Sequence, residues 1–229
     1  MRGSHALNGT RALVVVTRAP GSDGAKTRLA EAVGADACLR LQAAFLADTI
    51  EWAGPLAGRR MLSVYPPAGV RAVADQADGW LVAPQLGADF GERMRGAVNA
   101  GFAAGAAPVA MIASDSPTLP PDMLEEGWAL VEGGHSDVAL GPADDGGWVM
   151  IAAARPLAPG CFDGVRWSVP ETLADTRRAM SAAGLRVGCT RPWYDVDTEE
   201  DLQRLRAELG SGAAQRLPRT AAALKPFPG

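Results

Sequence analysis

The stretch R-A-L-V-V-V-T at residues 11–17 runs directly into R-A-P-G-S-D-G-A-K-T-R-L at residues 18–29. Five consecutive apolar positions with three adjacent valines and no polar alternation read as a strand buried on both faces. A strand of that kind belongs to a parallel sheet covered by helices on each side. The segment after it is rich in glycine and carries two cations, Lys26 and Arg28. In open α/β sheets ligands bind at the carboxyl ends of the strands. Residues 18–28 are therefore expected to form a loop in which Ala19, Pro20 and Gly21 border an anion, backbone N–H groups such as those of Ala19 and Gly21 approach it, and Lys26 and Arg28 neutralise it. A solvated loop with two surface cations is the structural alternative. The loop is neither a Walker loop, since Ala25 stands where a glycine would precede the lysine, nor the dinucleotide fingerprint.

The alternation continues along the chain. Strands are expected at 61–65, 80–83, 109–113, 138–140, 148–152 and 186–189. Helices are expected at 35–52, 70–77, 91–102, 121–131, 171–183 and 198–209. In the 35–52 helix Leu39, Ala43, Leu46 and Ile50 fall at helical spacing. Ser168-Val169-Pro170-Glu171 fits a capping box, and Thr198 with Asp201 fits a second N-terminal cap. This order predicts one α/β domain over 11–209, with a mostly parallel sheet and helices on both faces. Residues 1–10 begin M-R-G-S-H and read as a tag-like leader; 210–229, rich in Gly, Ala and Pro, read as a flexible tail.

Composition narrows the chemistry. The net charge is −4, with 22 Lys and Arg against 26 Asp and Glu, which disfavours a partner gripped through a polyanionic backbone. Two histidines and three widely spaced cysteines, Cys38, Cys161 and Cys189, supply neither a histidine-based triad nor a zinc pattern; the cysteines are expected to be buried small apolar residues. No apolar run approaches a membrane span, and the expected location is the cytoplasm. Catalysis must then rest on carboxylates, Lys, Arg and a metal.

Three acidic segments qualify. Strand 109–113 leads through Ser114 into Asp115-Ser116-Pro117, placing a carboxylate at the sheet's carboxyl edge, where it can hold a divalent cation on a diphosphate or cap a turn. Asp144-Asp145-Gly146-Gly147-Trp148 joins two strands, as a hairpin turn or as a loop that meets an acceptor through glycine backbone and an indole wall. In Tyr194-Asp195-Val196-Asp197 the period of an extended chain puts both aspartates on one side, as metal ligands or helix caps. A weaker signal is Gly87–Met94, where Arg93 can meet an anion or a neighbouring acid. Trp167, beside the 168–171 cap, reads as packing.

Six segments in register, R-A-P-G-S-D-G-A-K-T-R-L-A, G-A-D-F-G-E-R-M, S-D-S-P-T-L-P, L-G-P-A-D-D-G-G-W, G-V-R-W-S-V-P-E-T-L and Y-D-V-D-T-E-E-D-L, resemble the radical-SAM/selenodomain-associated transferases. Glycosyl transfer is ascribed to that family. The resemblance spans about residues 11–208, with Phe90 where Leu is usual and Trp148 where Tyr is usual. It implies a Rossmann-like nucleotide-diphospho-sugar transferase (GT-A-like) fold. It also places Lys26 and Arg28 on phosphate, Asp115 on the metal, and Asp145-Gly146-Gly147 on the acceptor. More weakly, the chain resembles guanylyltransferases of phospholactate and molybdenum-cofactor type.

The resulting expectation is a Mg²⁺- or Mn²⁺-dependent glycosyltransferase acting on a nucleotide-sugar and a small-molecule acceptor. Asp115, Asp145 and Lys26 are its catalytic candidates, and Asp115, Asp195 and Asp197 its metal candidates. Nucleotidyl transfer from a nucleoside triphosphate to a phosphorylated acceptor is the alternative, favoured by the two loop cations. A non-catalytic nucleotide-binding module is the third reading, opposed by the presence of both Asp115 and Lys26.

Overall fold

The computed structural model describes residues 10–22 and 26–225. The leader at 1–9, Asp23–Gly24–Ala25 of the first loop, and the last four residues lie outside the described residues. The chain builds one seven-stranded sheet from β1 (Ala12–Arg18), β2 (Arg59–Tyr65), β3 (Leu81–Pro84), β4 (Val109–Ala113), β5 (Val138–Pro142), β6 (Trp148–Ala153) and β7 (Val187–Cys189), in the order β3-β2-β1-β4-β6-β5-β7. The helices are α1 (Thr27–Val33), α2 (Ala35–Ala53), α3 (Val70–Ala74), α4 (Phe90–Ala103), α5 (Pro121–Glu132), α6 (Thr172–Ala182), α7 (Glu199–Gly210) and α8 (Pro218–Leu224).

All pairings are parallel except those of β6, which runs antiparallel to both β4 and β5. The reason is local: residues 143–147 are too few for a crossover, so β5 and β6 must form a hairpin. The order reverses between β1 and β4, opening a crevice at their carboxyl ends.

Alternate residues of each central strand feed opposite layers. Leu13, Val15, Ala110, Ile112, Met150 and Ala152 pack with Leu46 of α2 and Trp128 of α5. Ala12, Val14, Val109, Met111, Ile151 and Ala153 pack with Met94 and Val98 of α4 and Met180 of α6. The two-sided covering expected from the valine run is thus present. A third cluster ties Leu29 of α1, Leu41 and Phe45 of α2, Tyr194, Val196, and Leu202 and Leu205 of α7. Helix α2 serves two clusters, so its buried face runs through Cys38, Leu41, Phe45 and Leu46, and Leu39 is only half-buried. The sequence periodicity marks one stripe where the helix is covered on two sides.

Four expectations are corrected. Residues 27–33 are helical, although the first loop is expected to run further. The 168–171 capping box does not form: Ser168 takes a left-handed φ of 60° and Thr172 Oγ1 accepts the Val169 N–H instead. Cys189 is exposed, on the short outer strand β7, while Cys38 and Cys161 are buried. The expected flexible tail contains α8, which packs on α2. Leu217, Thr220 and Leu224 are buried there, and the fully buried Asp48 of α2 accepts the N–H groups of Arg219 and Thr220 at 3.2 and 2.7 Å. Composition conceals this because the contact rests on a few scattered side chains, Leu217, Thr220 and Leu224 with the Arg219 ion pairs to Asp48 and Glu51. Among the described residues no helix is long and apolar enough to cross a membrane.

Asp48→Ala strips the first turn of α8 of its acceptor and leaves buried N–H groups unpaired. It is expected to cost about 1–3 kcal/mol, read as a lower urea midpoint at unchanged slope.

Candidate active site

Every segment singled out at a strand end converges on the carboxyl edge. β1 and β4 end side by side, and Ser114 Oγ donates to Thr17 Oγ1 at 2.9 Å. Asp115 follows immediately. The chain after β7 then crosses the same edge: Trp193 N–H donates to Pro142 O, Asp144 N–H to Trp193 O, and Val196 N–H to Asp115 O at 2.9 Å. Val196 is fully buried between Asp195 and Asp197, so those two carboxylates turn to the other side, toward Asp115. The expected Thr198–Asp201 capping box forms, and Asp201 also accepts the Asp197 N–H, which fixes the backbone that carries Asp197.

One carboxylate oxygen from each of Asp115, Asp195 and Asp197 lies within 4.8 Å of the others. Lys26 enters this cluster from the first loop. Its backbone is left-handed (φ 49°, ψ 55°) and its side chain is 9% exposed, with Nζ 3.1 Å from Asp115 Oδ2 and in contact with Asp197 Oδ1. Burial disfavours the ammonium, but Asp115 and Asp197 outweigh it and hold its pKa above the ordinary lysine value. Arg28 reaches Asp197 at 3.4 Å from a more exposed position. Asp195 has no such partner. Burial, and then repulsion from Asp115 and Asp197, push its carboxyl up to about 7. Three hard oxygen donors with one carboxylate destabilised for want of positive charge fit a divalent cation.

Two cavities meet at this cluster and share Asp115 and Asp197. The first, about 220 Å³, is walled by Thr17, Arg18, Lys26, Gln42, Phe45 and Ser114. The second, about 320 Å³, is walled by Trp148, Trp167, Phe90, Met94, Met111 and the hairpin residues Asp145 and Gly147. Its walls are fixed. Trp148 Nε1 donates to the buried Thr176, and Trp167 packs edge-on to Phe90 with centroids 4.7 Å apart. Asp175 accepts hydrogen bonds from Arg166 and an ion pair from Arg178; against the opposing effect of burial these hold its carboxyl well below the ordinary range and anchor the 166–172 segment. Lys26 and Ser168 are the only non-glycine residues with positive φ among the described residues, and each lines one cavity. Backbone strain of this sort collects at functional sites.

The remaining candidates divide. Asp145 lines the second cavity and accepts the Gly147 N–H at 2.8 Å. Asp144 turns away and pairs with Arg204 at 2.6 Å. Gly146 has φ 89°, and a Cβ there would lie 2.1 Å from Pro170 O, so the hairpin must carry glycine to pass the 166–172 segment. Gly21 is exposed with φ 81°, while Ala19 is buried and donates to Tyr65 O, which leaves the loop backbone a smaller role than expected. Arg93 is stacked on Tyr65 at 4.6 Å and on Phe90 at 5.4 Å and lines neither cavity. Sequence reading missed Gln42 and Phe45, which α2 delivers from beyond the first loop, and assigned Trp167 to packing. The abrupt polar end of β1 at Thr17 was the one available signal for that wall.

This is an α/β fold of the nucleotidyl- and sugar-nucleotide-transferase type, with a carboxylate cluster at its switch point. The family model described as uncharacterized protein conserved in bacteria (DUF2064) matches residues 49–169, and the chain belongs to that family. It is similar to a phosphoenolpyruvate guanylyltransferase from Nocardia farcinica (strain IFM 10152), 29% identical over 215 residues, or 90% of this chain and 88% of the relative. It is also similar to the crystal structure of a candidate nucleotide-diphospho-sugar transferase from Desulfovibrio desulfuricans G20: TM-score 0.83, 30% identity, 94% of each chain covered. The fold extends to a CMP:2-keto-3-deoxy-manno-octonic acid synthetase solved with CTP (TM-score 0.53, 15% identity, 88% of this chain and 98% of that one).

Two outcomes test this geometry. Gly146→Ala combines a left-handed φ with a clash against Pro170 and is expected to destabilise by about 1–3 kcal/mol in thermal or urea unfolding. Asp195→Asn acts in the opposite direction. A carboxyl near 7 in the folded chain and near its ordinary value of about 4 when unfolded destabilises the fold increasingly as pH rises through that window. In chelator, the melting temperature of Asp195→Asn should therefore exceed that of the parent more at about pH 8 than at about pH 4. Its Mn²⁺ affinity should fall.

Proposed function

We propose that this chain is a metal-dependent nucleotidyltransferase that joins a nucleoside monophosphate unit to a small-molecule acceptor and releases pyrophosphate. The observation that carries the reading is the meeting of Lys26 and three aspartates where two cavities touch. The first cavity takes the triphosphate: Arg18 and Lys26 supply cationic charge on its wall, beside the hydroxyls of Thr17 and Ser114. Asp115, Asp195 and Asp197 would hold a divalent cation, whose charge would neutralise the phosphates and the leaving pyrophosphate. Lys26 keeps its proton and holds the triphosphate by charge, since its carboxylate partners keep it cationic well above neutral pH. The acceptor oxygen approaches from the second cavity, forms the new bond to the α-phosphorus, and passes its proton to Asp145 as the bond to pyrophosphate breaks. The guanylyltransferase relative supports nucleotidyl transfer.

Glycosyl transfer, the expectation from sequence, is the second reading. It is supported by the Desulfovibrio structure and by the aromatic second cavity, a surface suited to a sugar ring. In that case a nucleotide-sugar occupies the same cluster and a nucleoside diphosphate leaves.

Product analysis separates the two. Incubation with Mn²⁺, each nucleoside triphosphate and an acceptor pool should release pyrophosphate; release of nucleoside diphosphate from nucleotide-sugars, without pyrophosphate from any triphosphate, establishes the second reading. Asp115→Asn should lower turnover roughly 100-fold or more. Lys26→Ala should weaken triphosphate binding about tenfold in calorimetry. Full Mn²⁺-dependent nucleotide affinity in Asp115→Asn would remove the basis for either transfer.

A further inference from the structure

We infer that the acceptor is an uncharged ring compound, without phosphate or carboxylate, that lays an apolar face against Trp148, Trp167 and Phe90. The inference rests on the proposed reading in one respect, that the second cavity is the acceptor side of the carboxylate cluster.

Charge is the first argument. The second cavity is lined by Asp115, Asp145, Asp195 and Asp197 against a single cation, Arg28, whose guanidinium already sits on Asp197. Lys26 meets the cluster from the first cavity and is held by Asp115 and Asp197. Lys26, Arg28 and a divalent cation together no more than balance the four carboxylates. Apart from Arg28, no cation of the second cavity's wall faces an acceptor's phosphate. Arg93 is turned onto Tyr65 and Phe90 and does not line the cavity. Recognition of an anion needs donors and positive charge aimed at it, and this wall presents carboxylates.

Shape is the second. Trp148 and Trp167 meet edge to face at 6.1 Å, and Phe162 backs both, at 6.2 Å from Trp148 and 5.6 Å from Trp167. Trp148 is tied down through its N–H, and the chain bearing Trp167 is anchored at Asp175. Phe90 is 41% exposed, one of three large apolar side chains so exposed among the described residues. An exposed phenyl ring set against a fixed indole is poorly used as packing and well placed as the lip of a binding cavity. At about 320 Å³ the space is at the small end of ligand sites, which favours one or two rings. The ring faces hold an apolar face, and Asp145 is within the same wall to accept a hydroxyl proton.

The test uses the full chain with Mg²⁺ and GTP as nucleotide probe. Phenyl β-D-glucoside, phenyl β-D-galactoside, phenyl β-D-glucoside 6-phosphate and phosphoenolpyruvate are titrated by calorimetry and tryptophan fluorescence. At least one uncharged glycoside should bind saturably and quench fluorescence, with the 6-phosphate of the glucoside about tenfold weaker or more than its parent. Phe90→Ala and Trp148→Ala should each weaken the glycoside about fivefold or more, with Trp148→Phe restoring part of the loss. Melting curves confirm that the variants are folded. Tighter binding of phosphoenolpyruvate or of the 6-phosphate overturns the inference, and so does the absence of saturable binding by both uncharged glycosides. Failure of the underlying reading shows differently: Mg²⁺–GTP itself does not bind, or binds equally well to Asp115→Asn.

Discussion

A lysine ammonium that is only 9% exposed persists in a protein because carboxylates meet it. Here those carboxylates come from two segments some eighty residues apart, Asp115 after β4 and Asp197 before α7, and Lys26 itself lies at the N-terminus of α1. The ion pairs therefore fix three separate loops at one point on the carboxyl edge. The cluster is not electrically satisfied: Asp195, with no cation of its own, is driven up to about 7. The fold holds together a group of acids that would be more comfortable apart, and the packing that enforces this is the burial of Val196 and its N–H bond to Asp115 O.

Around that point the two cavities differ in kind. One is bounded by Arg18, Lys26, Gln42 and the hydroxyls of Thr17 and Ser114, groups that bind phosphate and polar bases. The other is bounded by indoles, a phenyl ring and thioethers, with carboxylates at its floor. Such asymmetry suits a reaction between a highly charged donor and an acceptor that must be desolvated without being charged. Guanylyl transfer to phosphoenolpyruvate, the activity named for the Nocardia relative, brings two anions together. The wall built from Trp148, Trp167 and Phe90 is where this chain would part company with such an acceptor.

The carboxylate cluster and the Asp145–Trp148 hairpin were legible in the sequence, and the rest of the second cavity's aromatic wall was not. The valine run of β1, the buried strand before Asp115 and the Thr198–Asp201 cap are local signals, each contained within a few residues, and each forms. Lys26, Asp115, Asp195 and Asp197 were legible because strand ends must meet at one edge of a parallel sheet. The second cavity is different. Phe90 begins a helix, Trp148 begins a strand, and Trp167 follows a loop held by Asp175. Their juxtaposition is a product of tertiary packing, with no spacing to announce it. The same holds for α8, whose attachment depends on one buried aspartate in α2, and for Ser168, whose left-handed φ replaces the capping box its neighbours suggest.

The strained positions show why the aromatic wall stands where it does. Gly146 must pass Pro170 so closely that no side chain fits, and Leu173 N–H donates to Gly146 O at 2.8 Å. The hairpin bearing Asp145 and Trp148 is thus bolted to the segment bearing Trp167 and Ser168. Asp175, 1% exposed, anchors that segment from beneath through Arg166. Trp148 and Trp167 meet edge to face at 6.1 Å, and the second cavity lies between that aromatic corner and the carboxylates. Fixing the corner there takes covalent geometry and buried hydrogen bonds. The left-handed Ser168 and the side-chain-free Gly146 are the cost of an aromatic cavity that stays open next to a cluster of acids.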